Sequence, residues 1–375
     1  MELSLTEAQE KVRARARSLA ADVLAPRAEA HDQAARFPEE QVRALAADGL
    51  MTMLVPEDDG GSGMGTVAYS LAITEVARAC ASTSVTMAVT NMVADAISAW
   101  GNDEQKAEHI PKLGSSEYLA GSFCLSEPNA GSDAASLKAT AVRHGDTYVL
   151  NGSKVWITSG DRAGVFLVMA KTDPSARSKG ISTFLVHPEL PGFSVGKHEE
   201  KMGLRASSTV TLSFDNVEIP AANRLGPEGI GFKIAMRALD GGRVGIGSQA
   251  LGLAEAALEA VKEAFREHAS LRTDAALARL ADLHTKVEAA RMLVYRAAVL
   301  KERGDVEFTK EASMAKLYAS ETANAVCAQA IELVGPDAYA TGSKLERVYR
   351  DVRVTTIYEG TSEIQRLVIA RQVLA

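Results

Sequence analysis

Cysteine is scarce in this sequence. The 375 residues include three cysteines, Cys80, Cys124 and Cys327, which lie far apart and are odd in number. A disulfide framework uses an even set of cysteines, and a zinc site of the CxxC type uses close pairs. The sequence therefore predicts neither, and we expect the protein to reside in a reducing cytoplasm.

Long apolar runs are lacking as well. No run of 18 apolar residues occurs, and charged residues are spread through the first 24 positions, which disfavours a membrane span and a signal peptide. Acidic residues outnumber basic ones by 48 to 41, for a formal net charge of −7. Nucleic acid and anionic membranes are therefore disfavoured as the main partners, and we expect a soluble protein.

Several catalytic motifs are also missing. The sequence has no HxxxH or HxH pair, no GxxxxGK[ST] loop and no GxSxG elbow, which disfavours metal, P-loop and serine hydrolase chemistry. GIGSQA at 245–250 matches a loose dinucleotide pattern, but no strand precedes it. We expect no metal site, and we interpret the histidines as solvated or hydrogen-bonded side chains. They are His31, His109, His144, His187, His198, His268 and His284.

The sequence divides into three successive regions that differ in the periodicity of their apolar residues. Residues 1–118 have helical periodicity, residues 119–230 alternate apolar and polar in short runs, and residues 231–375 are helical again. The middle spacing suits a small β-sandwich or barrel. The predicted fold class is α+β and multidomain, with an N-terminal all-α domain, a central β domain and a C-terminal helical domain.

Three local features make this prediction specific. Thr6 and Gln9 have the spacing of a capping box that begins the first helix. Pro26 is predicted to end the first periodic run. In the middle region, Asn151-Gly152 favours a type I′ hairpin between two β-rich runs.

Two segments of the β region contain polar and aromatic residues that are suited to binding a ligand. FCLSEPNAGSD at 123–133 places hydroxyl residues and a glycine after an apolar strand, which exposes backbone N–H groups to a polar ligand. VWITSG at 155–160 offers a flat apolar wall and hydrogen-bonding groups, as a planar heteroaromatic ring requires. A third segment, IYEGTSEIQ at 357–365, places Glu359 between Tyr358 and a Gly-Thr-Ser turn.

With these segments in order, the sequence resembles the acyl-CoA dehydrogenase family of flavoenzymes over nearly its whole length. EEKMGLRASST at 199–209, ALDGGRVGIGSQALGLA at 238–254 and RVYRDVRVTTIYEGTSEIQR at 347–366 also carry the resemblance. The family fold implies that the C-terminal domain is a four-helix bundle. The resemblance also implies a homo-oligomer, a tetramer or dimer, acting in fatty acid or amino acid catabolism.

The resemblance implies a reaction as well. A carboxylate removes the α-proton of an acyl-CoA thioester while the β-hydrogen passes as hydride to N5 of FAD, which gives the trans-2-enoyl thioester. Glu359 matches the catalytic base. Some family branches carry this base on an upstream helix, but the matching position here is Gly242. An electron-transfer flavoprotein is the implied electron acceptor.

Further site residues carry over by position. Those implied to bind FAD are Phe123, Leu125, Ser126, Gly131, Ser132, Trp156, Thr158, Ser159, Thr361 and Glu363. Those implied to contact acyl-CoA are Ser132, Asp240, Arg243, Tyr358 and Gly360. Acyl chain length and branching stay open.

Two segments depart from the family pattern. The family's Arg-x-x-Phe-Gly motif, which reaches the FAD pyrophosphate of a neighbouring subunit, is missing around 266–275. The Gln-x-x-Gly-Gly-x-Gly-Tyr element is changed at 332–339, where Glu332 and Asp337 bring negative charge that would repel a pyrophosphate.

These departures leave alternatives open beside the dehydrogenase that we favour. FAD can be bound in an altered pose, or a different subunit can complete the site in a hetero-oligomer. The chain can be a specialised or non-catalytic relative. It can also be an oxidase, or it can act on a carrier-protein thioester.

Overall fold

The computed structural model describes residues 4–305 and 308–374. The N-terminal part is helical, and its capping box is confirmed, because Thr6 accepts from the Gln9 backbone N–H and Gln9 returns a bond to Thr6. The six helices of this described part are α1 (Glu7–Leu19), α2 (Ala25–Gln33), α3 (Glu39–Ala47), α4 (Gly65–Ala79), α5 (Ala81–Trp100) and α6 (Asp103–Gly114).

Pro26 does not end the first helical run. A π-helical turn, Ala20–Leu24, joins α1 to α2, and Pro26 lies in the first turn of α2. The Ala25 N–H bonds the Ala20 carbonyl, five residues back, so the π-helical turn interrupts the i to i−4 pattern just before Pro26 and accommodates its ring without ending the helical run. The prediction of a stop was therefore wrong.

The central part is one sheet of eight described strands. They are β1 (Ala120–Cys124), β2 (Thr140–His144), β3 (Thr147–Thr158), β4 (Ala163–Lys171), β5 (Ile181–Val186), β6 (Phe193–His198), β7 (Thr209–Pro220) and β8 (Arg224–Leu225). Their order is β6-β7-β3-β2-β4-β5-β8, with β1 paired in parallel to β4. One face of the sheet packs on an apolar core of its own strands, in which Phe193 lies between Phe166 and Phe214.

The hairpin at Asn151-Gly152 was predicted wrongly. β3 runs through both residues, and the hairpin lies one strand earlier, where His144 of β2 pairs with Thr147 of β3. Gly152 instead marks a shift in the register of β3 against β7. Its φ is +139°, and a Cβ there would lie 2.7 Å from the Ala139 Cβ. A glycine in a strand thus signals a bulge as readily as a turn.

The C-terminal part is helical. Within the described residues its helices are α7 (Gly231–Glu267), α8 (Asp274–Glu302), α9 (Thr309–Val334), α10 (Lys344–Val352) and α11 (Ser362–Leu374). The predicted order of helices, strands and helices is confirmed, whereas the limits at 118 and 230 stay a prediction. Across the described ranges, none of the helices has both the length and the apolar character to cross a membrane.

Helices α5 and α7 connect the parts of the molecule. Val93 and Ile97 of α5 belong to the same apolar cluster as Val165 and Leu185 of the sheet, and Ile234 at the start of α7 joins that cluster. Further along, α7 packs in the core of α8 and α9. At 37 residues, α7 is about 55 Å long, so it reaches from the sheet into the bundle.

Candidate active site

Glu359 lies in a turn between α10 and α11 that uses unusual backbone angles. Glu359 has φ +56° and the following Gly360 has φ +92°. Left-handed φ is costly for a residue with a Cβ, and such strain persists only where the surroundings hold it. Glycine at 360 accommodates the second left-handed position without that cost.

Two buried polar side chains hold this turn. The ammonium of Lys316, from α9, donates to the Gly360 carbonyl at 2.7 Å. The Gln365 amide donates to the Glu359 and Gly360 carbonyls, both at 3.0 Å. Burial lowers the pKa of Lys316 to about 8, although the nearby Glu359 charge acts to raise it.

The Glu359 carboxylate rests on Gly242 of α7. A Cβ placed on Gly242 would lie 2.5 Å from Glu359 Oε2 and 2.9 Å from Cδ. Among the described residues, Oε2 is buried without a hydrogen-bond partner. Burial raises the pKa of the Glu359 carboxyl to about 7, against the opposing charges of Arg243 and Lys316. A carboxylate with these properties is suited to accept a proton near neutral pH.

The neighbouring Tyr358 is tied to the core of the molecule. Its hydroxyl donates to Gln249 Oε1 on α7. The Gln249 amide in turn donates to the Ala81 carbonyl at 3.0 Å and to Ser84 Oγ at 2.8 Å, both on α5. Hydrogen bonds thus link the turn that holds Tyr358, helix α7 and helix α5 next to the carboxylate.

Asp240 and Arg243, predicted to contact acyl-CoA, lie on the same helix as Gly242 and bind each other. Arg243 Nη1 is 2.5 Å from Asp240 Oδ1 and 3.2 Å from Ser313 Oγ. Thr309 donates to the second Asp240 oxygen at 2.6 Å. Burial raises the pKa of Asp240. A contact with substrate therefore stays a prediction for both residues.

The two predicted flavin segments meet at the end of the sheet. The Val155 N–H donates to the Ser126 carbonyl at 3.0 Å. Ser122 Oγ donates to the Thr158 carbonyl at 2.7 Å. The backbone of Phe123, Leu125 and Ser126 therefore runs beside that of Trp156 and Thr158. Phe123, Ser126 and Thr158 are partly exposed and Leu125 is buried.

Trp156 stands out in this cluster. It has φ +59° and is 61% exposed, although a large aromatic side chain is normally buried. Ser159 has φ +57° but is buried, and its hydroxyl lies 3.4 Å from that of Thr86 on α5. An exposed indole beside hydroxyl groups matches the wall that a planar ligand requires.

A buried ion pair braces the loop after β1, and the sequence pattern did not reveal it. Lys154 is fully buried, and its ammonium lies 2.8 Å from Glu127 Oε1 and 3.1 Å from the Leu125 carbonyl. Glu127 also accepts from the backbone N–H groups of Lys138 and Ala139. Both ends of the loop are thereby fixed.

The remaining predicted FAD residues lie at the edges of the site. Gly131 and Ser132 are exposed, and a Cβ on Gly131 would have no described atom within 4 Å. Thr361 accepts weakly from the Ile364 N–H at the start of α11, at 3.4 Å. Glu363 is exposed beside it. These roles stay predictions.

Helix α5 connects the two halves of the site. Ser84 supports the Gln249–Tyr358 contact, and Thr86, two positions later, contacts Ser159. The carboxylate turn and the flavin segments therefore adjoin the same turn of α5. The chain thus has both the wall for a planar ring and a partnerless buried carboxylate oxygen, so its residues fit the flavin and thioester that the resemblance implies.

The two departing segments are ordered locally. Arg272 donates to the Phe265 carbonyl and, at 3.1 Å, to that of Arg266, so it caps the end of α7. Glu332 forms an ion pair with Arg279 at 2.6 Å. This pairing offsets part of the repulsion expected from Glu332. Asp337 is exposed.

Sequence reasoning missed Lys316, Gln249 and the Glu127–Lys154 pair. Each contacts a residue far away in the chain, and a single lysine or glutamine in a helical pattern resembles any surface position. Gly242 was a usable signal, because it lies among several glycines inside a helical run, where glycine is costly unless something packs against it.

Family models match the chain along almost all of its length. The model described as "Acyl-CoA dehydrogenase, N-terminal domain" matches residues 6–117, the middle domain matches 122–217, and the C-terminal domain matches 229–374. The short-chain specific acyl-CoA dehydrogenase of Rattus norvegicus, a mitochondrial protein, is 46% identical over 378 residues. That alignment covers 99% of this chain and 91% of the rat protein.

Solved structures of acyl-CoA dehydrogenases are also similar to this chain. Butyryl-CoA dehydrogenase from Megasphaera elsdenii has a TM-score of 0.97 at 37% identity, with 100% of both chains covered. A chain in a structure described as the electron transferring flavoprotein of Acidaminococcus fermentans also gives 0.97, at 39% identity and 100% coverage of both. The oxidase and carrier-protein alternatives are not favoured by these matches.

Proposed function

Because the chain belongs to the acyl-CoA dehydrogenase family and is an FAD-dependent acyl-CoA dehydrogenase, we propose that Glu359 is its catalytic base and that its substrate is a short-chain acyl-CoA. The observation that carries the assignment of the base is the Glu359 oxygen buried against Gly242, together with its raised pKa of about 7. FAD, when bound, supplies the acceptor for the β-hydrogen.

The residues of this chain provide position and charge. Glu359 takes the α-proton, and its partly desolvated carboxylate is a stronger base than one in water. The Glu359 backbone N–H would donate to the thioester oxygen, where negative charge develops. Lys316 and Gln365 hold the carbonyls of the same turn, so this geometry is preorganised.

The proposal of a short acyl chain has one structural support besides the names of the relatives. Tyr69 of α4 is buried, and a Cβ on Gly245 would lie 2.4 Å from its hydroxyl. Gly245 is three residues after Gly242 and shares its face of α7. A phenol ring therefore occupies space next to the carboxylate that a longer acyl chain would need.

The Phe123–Ser126 and Trp156–Ser159 segments would hold the isoalloxazine ring, with Ser126 or Thr158 bonding its edge. Gly131, Ser132, Thr361 and Glu363 would serve the rest of the FAD, and Asp240 and Arg243 the acyl-CoA. The limits of the three domains, 1–118, 119–230 and 231–375, belong to the same proposal.

The partners and the location are proposed on coarser grounds. The similar structure from Acidaminococcus fermentans is described as an electron transferring flavoprotein, which supports such a protein as electron acceptor. We propose a cytoplasmic homotetramer, with a hetero-oligomer as the alternative because of the changed 266–275 and 332–339 segments. Native mass spectrometry of the purified chain decides between them: a chain that stays monomeric and colourless with added FAD contradicts the homotetramer.

The test of the base is Glu359→Gln with butyryl-CoA under anaerobic conditions. The amide keeps the shape but cannot accept the proton, so we expect bleaching of the flavin to slow by about 10²- to 10⁴-fold, the range typical of general bases, while butyryl-CoA still binds. Glu321→Gln is the matched control, because Glu321 is an exposed carboxylate of α9 that pairs with Arg366 at the surface. Unchanged bleaching in Glu359→Gln would refute the assignment.

A further inference from the structure

Two histidines and a glutamate, none of them assigned to the active site, converge between the N-terminal helices and the sheet. Glu108 and His109 lie on α6, and His187 directly follows β5. One possible ligand atom from each of the three lies within 4.8 Å of the other two. The cluster therefore joins the N-terminal helices to the sheet.

His109 is the buried member of the cluster. It is 2% exposed, and its Nδ1 is buried without a hydrogen-bond partner in the described ranges. Its Nε2 is 3.9 Å from Glu108 Oε2, too far for a hydrogen bond. A neutral imidazole keeps one nitrogen lone pair that can bind a metal ion. A buried imidazole without a partner is costly, and a ligand would remove that cost.

His187 is oriented as a metal-binding histidine usually is. Its Nδ1 lies 3.3 Å from the Gly164 carbonyl. A carbonyl only accepts, so Nδ1 carries the proton and Nε2 keeps the lone pair. Histidines that bind metals commonly donate their other nitrogen to a backbone carbonyl, which fixes the tautomer and the ring orientation. The Tyr118 ring packs against Gly164, since a Cβ there would lie 2.0 Å from Tyr118 Cδ1.

We propose that Glu108, His109 and His187 bind a divalent transition-metal ion, with Zn²⁺ as the preferred ion, and that this ion fastens α6 to the sheet. Two imidazoles and a carboxylate suit Zn²⁺, whereas Ca²⁺ and Mg²⁺ prefer oxygen ligands alone. Zinc bonds of about 2.0–2.2 Å require the three groups to draw in slightly from their present separation.

The surroundings allow an ion to enter. The Glu108 side chain is 54% exposed, so one ligand already faces solvent. Lys112 is the competing cation, with its ammonium 3.9 Å from Glu108 Oε1 and 3.3 Å from the Tyr118 hydroxyl. Binding of the ion would weaken the Lys112–Glu108 contact but would leave the Lys112–Tyr118 contact in place. Solvent would complete the coordination of the ion.

The test uses the full-length protein loaded with FAD and freed of metal by a chelator. Zn²⁺ is titrated by calorimetry, and Co²⁺ by its visible absorption, which is intense only at low coordination number. We expect one ion per chain and a rise in the thermal midpoint with Zn²⁺. His187→Gln should weaken Zn²⁺ binding at least tenfold. His198→Gln is the matched control, because His198 is a largely exposed histidine of the same domain that lies near Asp161.

Glu108→Gln keeps the inference testable if His187→Gln or a His109 variant folds poorly. Glu108 is exposed, so its replacement should leave the metal-free thermal midpoint unchanged while Zn²⁺ binding falls. The proposal is overturned if the unmodified protein binds neither ion. It is also overturned if His187→Gln and Glu108→Gln both bind Zn²⁺ as tightly as His198→Gln does.

Discussion

Gly242→Ala should misplace the carboxylate of Glu359, the proposed base, without destabilising the protein. The added methyl would lie 2.5 Å from Glu359 Oε2, 2.9 Å from Cδ and 3.2 Å from Oε1. Ordinary contact requires about 3.5 Å, so the carboxylate must retreat by about 1 Å. A displacement of about that size can cost about 10²-fold in rate, or about 2.7 kcal/mol of the barrier.

The assay is anaerobic stopped-flow bleaching of the flavin by butyryl-CoA. Gly241→Ala is the matched control: it makes the same change in the same helix, but its methyl would meet Lys301 Nζ at 2.9 Å, the far end of a flexible side chain. Both variants should unfold at an equal or higher temperature, because alanine is favoured over glycine in a helix by up to about 1 kcal/mol. If Gly242→Ala bleaches as fast as Gly241→Ala, the Glu359 carboxylate is not the base or does not react from this position.

Two further predictions concern buried charges. The carboxylate is the active form of Glu359, so bleaching should speed up as pH rises through about 7. Since the Lys316 charge lowers the Glu359 pKa, Lys316→Met should move this limb to higher pH, whereas Lys310→Met should not; an unmoved limb contradicts the electrostatic effect of Lys316 on Glu359. Glu127→Gln leaves Lys154 buried without a counter-charge and should lower the free energy of unfolding by about 3–5 kcal/mol. Urea titration measures it, and a loss below about 1 kcal/mol contradicts the bracing role of the pair.

Local patterns predicted some elements correctly and others wrongly for identifiable reasons. The Thr6 capping box depends on residues three apart, so it could be predicted and is confirmed. Pro26 and Gly152 were misinterpreted because each has two compatible uses. A proline suits either the end or the first turn of a helix, and a glycine in a β-rich run suits either a turn or a bulge. The choice depended on neighbours such as Ala139, which only the fold places against Gly152.

The active site also has features that local sequence patterns predict and features that they do not. Glu359 and the two flavin segments were predicted because short motifs carry them, and the family assignment is confirmed by the matches over the whole chain. The raised pKa of Glu359 could not be predicted, because it arises from burial against Gly242, which outweighs the opposing charges of Arg243 and Lys316. Those residues lie 43 to 117 positions before it in the chain.

The histidines give the clearest contrast. The spacing of the histidines provides no reason to connect His109 with His187, since metal motifs are recognised only when their ligands are close in the chain. Their ring centroids lie 5.2 Å apart in the structure.

The sequence by itself determined the order of helices and strands and the family, and it predicted Glu359 as the reactive carboxylate, because each depends on periodicity or on short contiguous motifs. Only the tertiary structure decided what surrounds that carboxylate, how Lys154 is neutralised and which histidines meet. These properties depend on distances and burial between residues far apart in the chain, and such distances exist only once the chain has folded.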